Sequence, residues 1–182
     1  MLPQDKQLIL FGSVKITDKR KGIDYLIEAC KILAEKHPDY VDKLGVVVFG
    51  NQSAHLENLL PFKVYPLNYV KDEHRLVDIY NAVDIFVTPS LEENLPNTIM
   101  EAMACGTPVA AFAVPGPLDI VQQGVTGYLA DDLAEACLAA VQLDRQDCAR
   151  WAATLGWRSS AEVFLAAQQR LSALVIEMAP AG

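Results

Sequence analysis

Two periods alternate along the chain. Residues 7–14, QLILFGSV, form an almost unbroken apolar run closing on Gly12, and LGVVVF at 44–49 repeats the pattern before Gly50. Such runs, bounded by Gly or Pro, suit strands buried on both faces of a parallel sheet. Residues 62–66 (FKVYP), 84–88 (DIFVT), 108–113 and 127–129 (GYL) supply four shorter candidates. Between the first two runs, Ile23, Leu26, Ile27, Cys30, Leu33 and Ala34 recur at helical spacing over 23–36, and Pro38 stops the helix. The pattern predicts further helices over 72–82, with Leu76, Ile79 and Tyr80 inward, over 98–105, closed by Gly106, and over 118–123 after Pro115-Gly116-Pro117. Residues 51–58 are a weaker helical segment. Everything beyond 131 reads as helix, with Ser159-x-x-Glu162 as a capping box for the last one.

Strands alternating with helices define the expected fold class: α/β, a doubly wound parallel sheet of Rossmann-like type, as one domain over 1–182. A length of 182 residues suits one domain with a sizeable core. Such sheets bind ligands outside the carboxyl ends of their strands. The loops 12–22, 50–53, 67–71, 89–97 and 114–118 are therefore where chemistry is expected.

Charge and cysteine usage remove several alternatives. Lys plus Arg is 15 against 23 Asp plus Glu, a net charge of −8. An acidic chain without a basic stripe is a poor partner for nucleic acid or an anionic membrane. Cys30, Cys105, Cys137 and Cys148 form no C-x-x-C pair, and with only His37, His55 and His74 there is no metal-site spacing. This is the pattern of reduced thiols in a cytoplasmic protein. The opening MLPQDK does not resemble a secretory leader. No apolar run approaches the roughly 20 residues of a membrane helix.

Four groups of residues fall in the expected loops. Lys19-Arg20-Lys21-Gly22, with Lys15 nearby, precedes a helix start. Three adjacent cations there can clamp a diphosphate, and a solvated charged turn is the plain alternative. Neither G-x-G-x-x-G nor G-x-x-x-x-G-K-[ST] occurs. Glu93, beside Glu92, lies in a loop, and Glu101 lies one turn into the next helix. Both can face the space above the sheet edge, where a carboxylate accepts two hydrogen bonds from vicinal hydroxyls of a ribose or hexose. A capping box with Thr98 is the alternative for Glu101, and a surface charge that for Glu93. Asn94-Leu95-Pro96-Asn97-Thr98 leads into a helix N-terminus, a natural anion site that is also ordinary capping. Pro115-Gly116-Pro117 reads alone as a rigid turn.

Taken together, these segments resemble a known family. Residues 89–129 are similar to the signature stretch of retaining glycosyltransferases of family 4: P-S-x-x-E, seven residues, then E-A-x-A-x-G-x-P-V, a G-x-x-[DE]-I-[IV] and a G-x-L. Pro89-Ser90, Glu93, Glu101-Ala102, Ala104, Gly106, Pro108-Val109, Gly116, Asp119-Ile120 and Gly127 all fall in place. Arg20-Lys21-Gly22 resembles the family's R/K-x-K-G segment, and Trp157 the tryptophan before its last helix. The likeness covers roughly 8–175 and implies the C-terminal, nucleotide-sugar-binding half of a two-domain GT-B enzyme. It implies that Lys21, with Arg20, contacts the donor diphosphate, that Glu101 binds ribose hydroxyls, and that Glu93 lies near the donor sugar as the catalytic carboxylate. It further implies that backbone amides of Asn94, Leu95, Pro96, Asn97 and Thr98 line the sugar and phosphate, that the base sits against Tyr69-Val70, and that Gly12 borders the donor. Proline brings no amide of its own, so Pro96 enters only through its place in that loop. No metal or other cofactor is implied; the nucleotide sugar is the donor substrate.

Two departures qualify the likeness. The family's arginine after the first-strand glycine is Ser13 here, so phosphate binding leans on Arg20, Lys21 or Lys15, and its double glycine is Pro115-Gly116. The family enzyme is about twice as long. The expected partners are thus a nucleotide sugar, an N-terminal domain outside this chain, and a glycan or lipid-linked acceptor; any peripheral membrane association would run through that other half. Val163, Phe164, Leu171, Leu174 and Val175 are candidates to pack toward it. A GT-B nucleotide-sugar epimerase and a non-catalytic nucleotide-sugar-binding module stay open as alternatives.

Overall fold

All six expected strands form. They are β1 (Gln7–Lys15), β2 (Leu44–Asn51), β3 (Lys63–Pro66), β4 (Ile85–Thr88), β5 (Val109–Ala111) and β6 (Gly127–Leu129). The computed structural model describes residues 2–15, 18–92, 96–156, 161–162, 165–166 and 169. The chain divides into two units, Met1–Ala152 and Ala153–Gly182. The sheet and the helices named below belong to the first. In the second, the described residues 161–162, 165–166 and 169 are helical. Trp157, Ser159 and the five apolar residues named as packing candidates lie outside the described residues.

The strands are all parallel, in the order β3-β2-β1-β4-β5-β6. The chain winds outward from β1 through β2 to β3, then returns to β4 on the other side of β1. Connections diverge between β1 and β4, and the crevice at their carboxyl ends is the topological switch point.

Helices cover both faces. They are α1 (Ile23–Lys36), α2 (Glu73–Ala82), α3 (Asn97–Ala104), α4 (Pro117–Ile120), α5 (Leu133–Ala140) and α6 (Arg145–Ala152). Ile9, Phe11, Val46, Val48, Ile85 and Val87 share one core cluster with Leu26, Cys30 and Leu33 of α1 and with Ala136 and Cys137 of α5. The alternate strand residues Leu8, Leu10, Val47 and Phe86 are equally buried, as the period of two requires, and Phe86 meets Tyr80 of α2. α3 neighbours both α2 and α6.

The helix expected over 118–123 is shorter and earlier. Val121 is already extended (φ −85°, ψ 121°), because the Gln122 amide bonds the Thr126 hydroxyl at 2.9 Å instead of continuing the helix. The turn that follows lies against β6. Gly124 N–H donates to the Gly127 carbonyl at 2.9 Å, and the Gln123 side chain both accepts from Leu129 N–H (2.7 Å) and donates to Leu129 C=O (3.1 Å).

Candidate functional site

Two loops meet at the switch point. After β1, Lys19–Lys21 form one turn of 3-10 helix, and Gly22 both ends that turn and starts α1 in the left-handed conformation (φ 70°, ψ 30°). A side chain at Gly22 would stand 2.0 Å from the Pro89 carbonyl oxygen. Gly22 therefore rests directly on the backbone that leaves β4, and only glycine satisfies both the angle and the approach. The contact brings the Lys19-Arg20-Lys21 cations beside the loop that begins Pro89-Ser90.

Asp18 orders that cationic turn. One of its oxygens accepts from the Arg20 backbone N–H at 3.1 Å and from Nε at 3.3 Å; the other accepts from Nη2 at 2.8 Å. The Arg20 side-chain hydrogen bond, first among the causes, holds the Asp18 carboxyl below its usual range. Asp18 thus grips the Nε–Nη2 edge of the Arg20 guanidinium while the side chain stays largely exposed, and Lys21 is half-buried.

Glu101 does not make the capping box that is the alternative reading for it. Pro96 occupies the N-cap of α3, where its carbonyl accepts from the amides of Ile99 and Met100 and no side-chain cap forms. The Glu101 carboxylate turns instead to α2, where its Oε2 accepts from the Tyr80 hydroxyl at 3.1 Å. Tyr80 was legible in the sequence only as an inward helix position. A buried tyrosine hydroxyl needs a partner, and that requirement is the signal that could have led to Glu101. Behind Tyr80, its backbone carbonyl accepts from Thr107 Oγ1 (2.7 Å) and from Arg145 Nη2 (3.4 Å). Arg145 also reaches the carbonyls of Val83, Asn81 and Cys105, and so gathers the ends of α2 and α3.

The remaining expected residues divide by exposure. Pro96 is buried, Asn97 exposed and Thr98 half-buried at the start of α3. Tyr69 is 46% exposed, whereas Val70 is buried and can offer a ligand only its backbone. Their loop is tied to the one after β2, since Gly50 N–H donates to Asn68 C=O at 2.7 Å and Asn68 N–H to Ser53 Oγ at 3.2 Å. Gly12 has a packing reason to lack a side chain: a Cβ there would lie 2.0 Å from the Phe49 ring. Ser13 is buried. Glu93, Asn94 and Leu95 lie outside the described residues, as do the side chains of Val14 and Lys15. Ser90, buried at the root of that loop, carries a hydroxyl with no hydrogen-bond partner among the described residues.

A groove of about 960 Å³ lies elsewhere, along β3, lined by Lys6, Lys63, Tyr65, Arg75 and Asp78 among others. Its lining is of mixed charge, whereas at the switch point the cationic turn of Lys19–Lys21 is seated on the loop that leads toward α3. Among the described residues, no three His, Cys, Asp or Glu side chains group to hold a metal ion, and no helix is long and apolar enough to cross a membrane.

Comparison with known proteins places this arrangement in a family. The chain matches the family described as glycosyl transferases group 1 over residues 5–143. It is 36% identical over 170 residues to a D-inositol 3-phosphate glycosyltransferase of Kribbella flavida, covering 81% of this chain and 40% of that protein. Among solved structures, a sucrose-phosphate synthase from Thermosynechococcus elongatus superposes with a TM-score of 0.71 at 25% identity, covering 95% of this chain and 47% of that one. The Anabaena HepE protein, solved with UDP and glucose, superposes with a TM-score of 0.64 at 22% identity, covering 93% and 49%. The fold is the Rossmann-like α/β unit of GT-B glycosyltransferases, and the chain spans less than half the length of these relatives. The matched segment runs from before β1 to beyond α5 and contains the Lys19–Gly22 turn, the Pro89 loop and Glu101. This chain belongs to the glycosyl transferases group 1 family.

Proposed function

We propose that this chain is the C-terminal, donor-binding half of a retaining two-domain glycosyltransferase. The intact enzyme moves a hexose from a nucleoside-diphosphate sugar to a glycan or lipid-linked acceptor. The observation that carries this reading is the seating of Gly22 on Pro89, which joins the Lys19–Lys21 turn to the loop leading into α3. Lys21 and Arg20 hold the diphosphate. Glu101 accepts from the ribose hydroxyls, and Tyr69 with the Val70 backbone borders the base. Glu93 and the backbone of the Asn94–Thr98 loop serve the sugar and phosphate, and Gly12 borders the donor. Negative charge grows on the departing diphosphate in the transition state, so fixed cations and helix amides there lower the barrier.

The HepE structure, with its UDP and glucose, supports the ligand class. The relatives named for transfer to D-inositol 3-phosphate support group transfer itself. The acceptor and the opposite cleft wall belong to the remainder of a longer protein. This chain alone binds donor weakly and transfers little or nothing, and the enzyme works in the cytoplasm.

Calorimetric titration of the chain with UDP, GDP and ADP tests the reading. Heat of binding is expected with at least one. Lys21→Ala should weaken nucleoside diphosphate and inorganic pyrophosphate alike, while Glu101→Gln should weaken the nucleotide more. No heat with any of the three up to millimolar ligand would overturn the proposal.

A further inference from the structure

We propose that Tyr80 is a positioning residue for the Glu101 carboxylate, anchoring one of its oxygens so that the rest of the group is presented to a vicinal diol. The inference rests on the donor-site reading and adds a residue to it. Glu101 is exposed on α3, where a long flexible side chain would otherwise sample several rotamers. Its Oε2 is held at 3.1 Å by the hydroxyl of Tyr80, 21 positions earlier in the chain. A carboxylate offers about four lone-pair sites, and the hydrogen bond to Oε2 leaves Oε1 without a partner among the described residues.

Tyr80 is itself immobilised from three directions. Its side chain is almost completely buried. The ring meets Phe49 edge-on at 6.3 Å and Phe86 at 5.8 Å. Its backbone carbonyl is gripped by Thr107 and Arg145. Burial first, and Glu101 second, push the phenol far above its ordinary range, so the hydroxyl remains a donor at any working pH. Phe49 also covers Gly12 within β1, so one aromatic contact joins Tyr80 to the first strand. A phenol held this firmly transmits its position to the carboxylate.

The test compares ligands with and without the diol. The tightest binder among UDP, GDP and ADP is titrated into the wild-type chain and Tyr80→Phe, beside its 2′,3′-dideoxy counterpart. Tyr80→Phe removes one oxygen and keeps the ring contacts; urea unfolding checks that the fold persists. The expected result is about a five- to tenfold loss of affinity for the ribonucleotide, with the dideoxynucleotide unchanged. In a Glu101→Ala background, Tyr80→Phe should then cost no further affinity. Equal loss for both ligands, or a loss that persists without Glu101, would overturn the positioning role while leaving the donor site standing. A wild-type chain that binds both ligands equally would instead remove Glu101 from ribose recognition, and this proposal with it.

Discussion

Replacing Gly22 by Ala tests the joint at the switch point, and Gly124 supplies the control. Both glycines have positive φ, 70° and 75°, so an added methyl costs about 1–2 kcal/mol from backbone strain at either site. Their surroundings differ. A Cβ at Gly124 meets no described atom within 4 Å, whereas a Cβ at Gly22 meets the Pro89 oxygen at 2.0 Å. Real Cβ contacts almost never fall under 3.0 Å, so the cationic turn or the Pro89 backbone must give way by about 1 Å. Such forced displacement adds about 1–3 kcal/mol. The expected stability losses are therefore about 1–2 kcal/mol for Gly124→Ala and about 2–5 kcal/mol for Gly22→Ala, read from urea unfolding by linear extrapolation. Binding should separate them further. Moving Lys21 off a diphosphate removes a charged hydrogen bond, a tenfold or greater loss of pyrophosphate affinity by calorimetry, while Gly124→Ala binds as wild type. Equal losses of stability and affinity in the two variants would show that only φ matters and that the Gly22–Pro89 contact does not join the loops.

Three further outcomes follow from the buried polar groups. Arg145→Ala strips donors from the carbonyls at the ends of α2 and α3 and should cost about 3 kcal/mol in urea unfolding; Arg145→Lys should recover less than half, because an ammonium lacks the planar fork. Ser90→Ala removes a buried hydroxyl with no partner among the described residues, so stability should hold within about 0.5 kcal/mol or rise; a loss above about 1 kcal/mol would reveal a partner. Burial pushes the Cys30 thiol from 9.0 up to about 12. The folded state then keeps a proton that the unfolded chain loses, so stability is whole below pH 9 and falls as pH rises toward 12. Unfolding at pH 8 and pH 10 should show Cys30→Ala sparing about 1.4 kcal/mol of the wild-type alkaline loss, and an identical loss in both proteins would refute the assignment.

The sheet was readable because its central strands are buried on both faces. Even three-residue β6 stood out, since Gly127-Tyr128-Leu129 follows a turn and precedes a helical pattern. What local pattern could not supply was pairing across the chain. The spacing of Thr98 and Glu101 pointed to a capping box, but Pro96 fills the N-cap and a residue 21 positions away takes the carboxylate. Lys19–Lys21 read as three cations before a helix, while their proximity to Pro89 depends on how β1 and β4 lie side by side. Val70 looked like half of a base-binding pair, yet its side chain serves the core and only Tyr69 is presented to solvent. Glu93 and the Asn94–Thr98 loop stood out by their place before a helix start, while their particular roles came from family likeness.

The turn beside β6 carries a consequence for how copies of this chain meet. β6 is an outer strand, and an outer strand normally offers its free amides and carbonyls to any passing chain. Here the Gly127 carbonyl is taken by Gly124, and both backbone groups of Leu129 are taken by the single amide of Gln123. One side chain thus does the work of a seventh strand. It caps the sheet against edge-to-edge growth and leaves an approaching strand no ladder to join on that side.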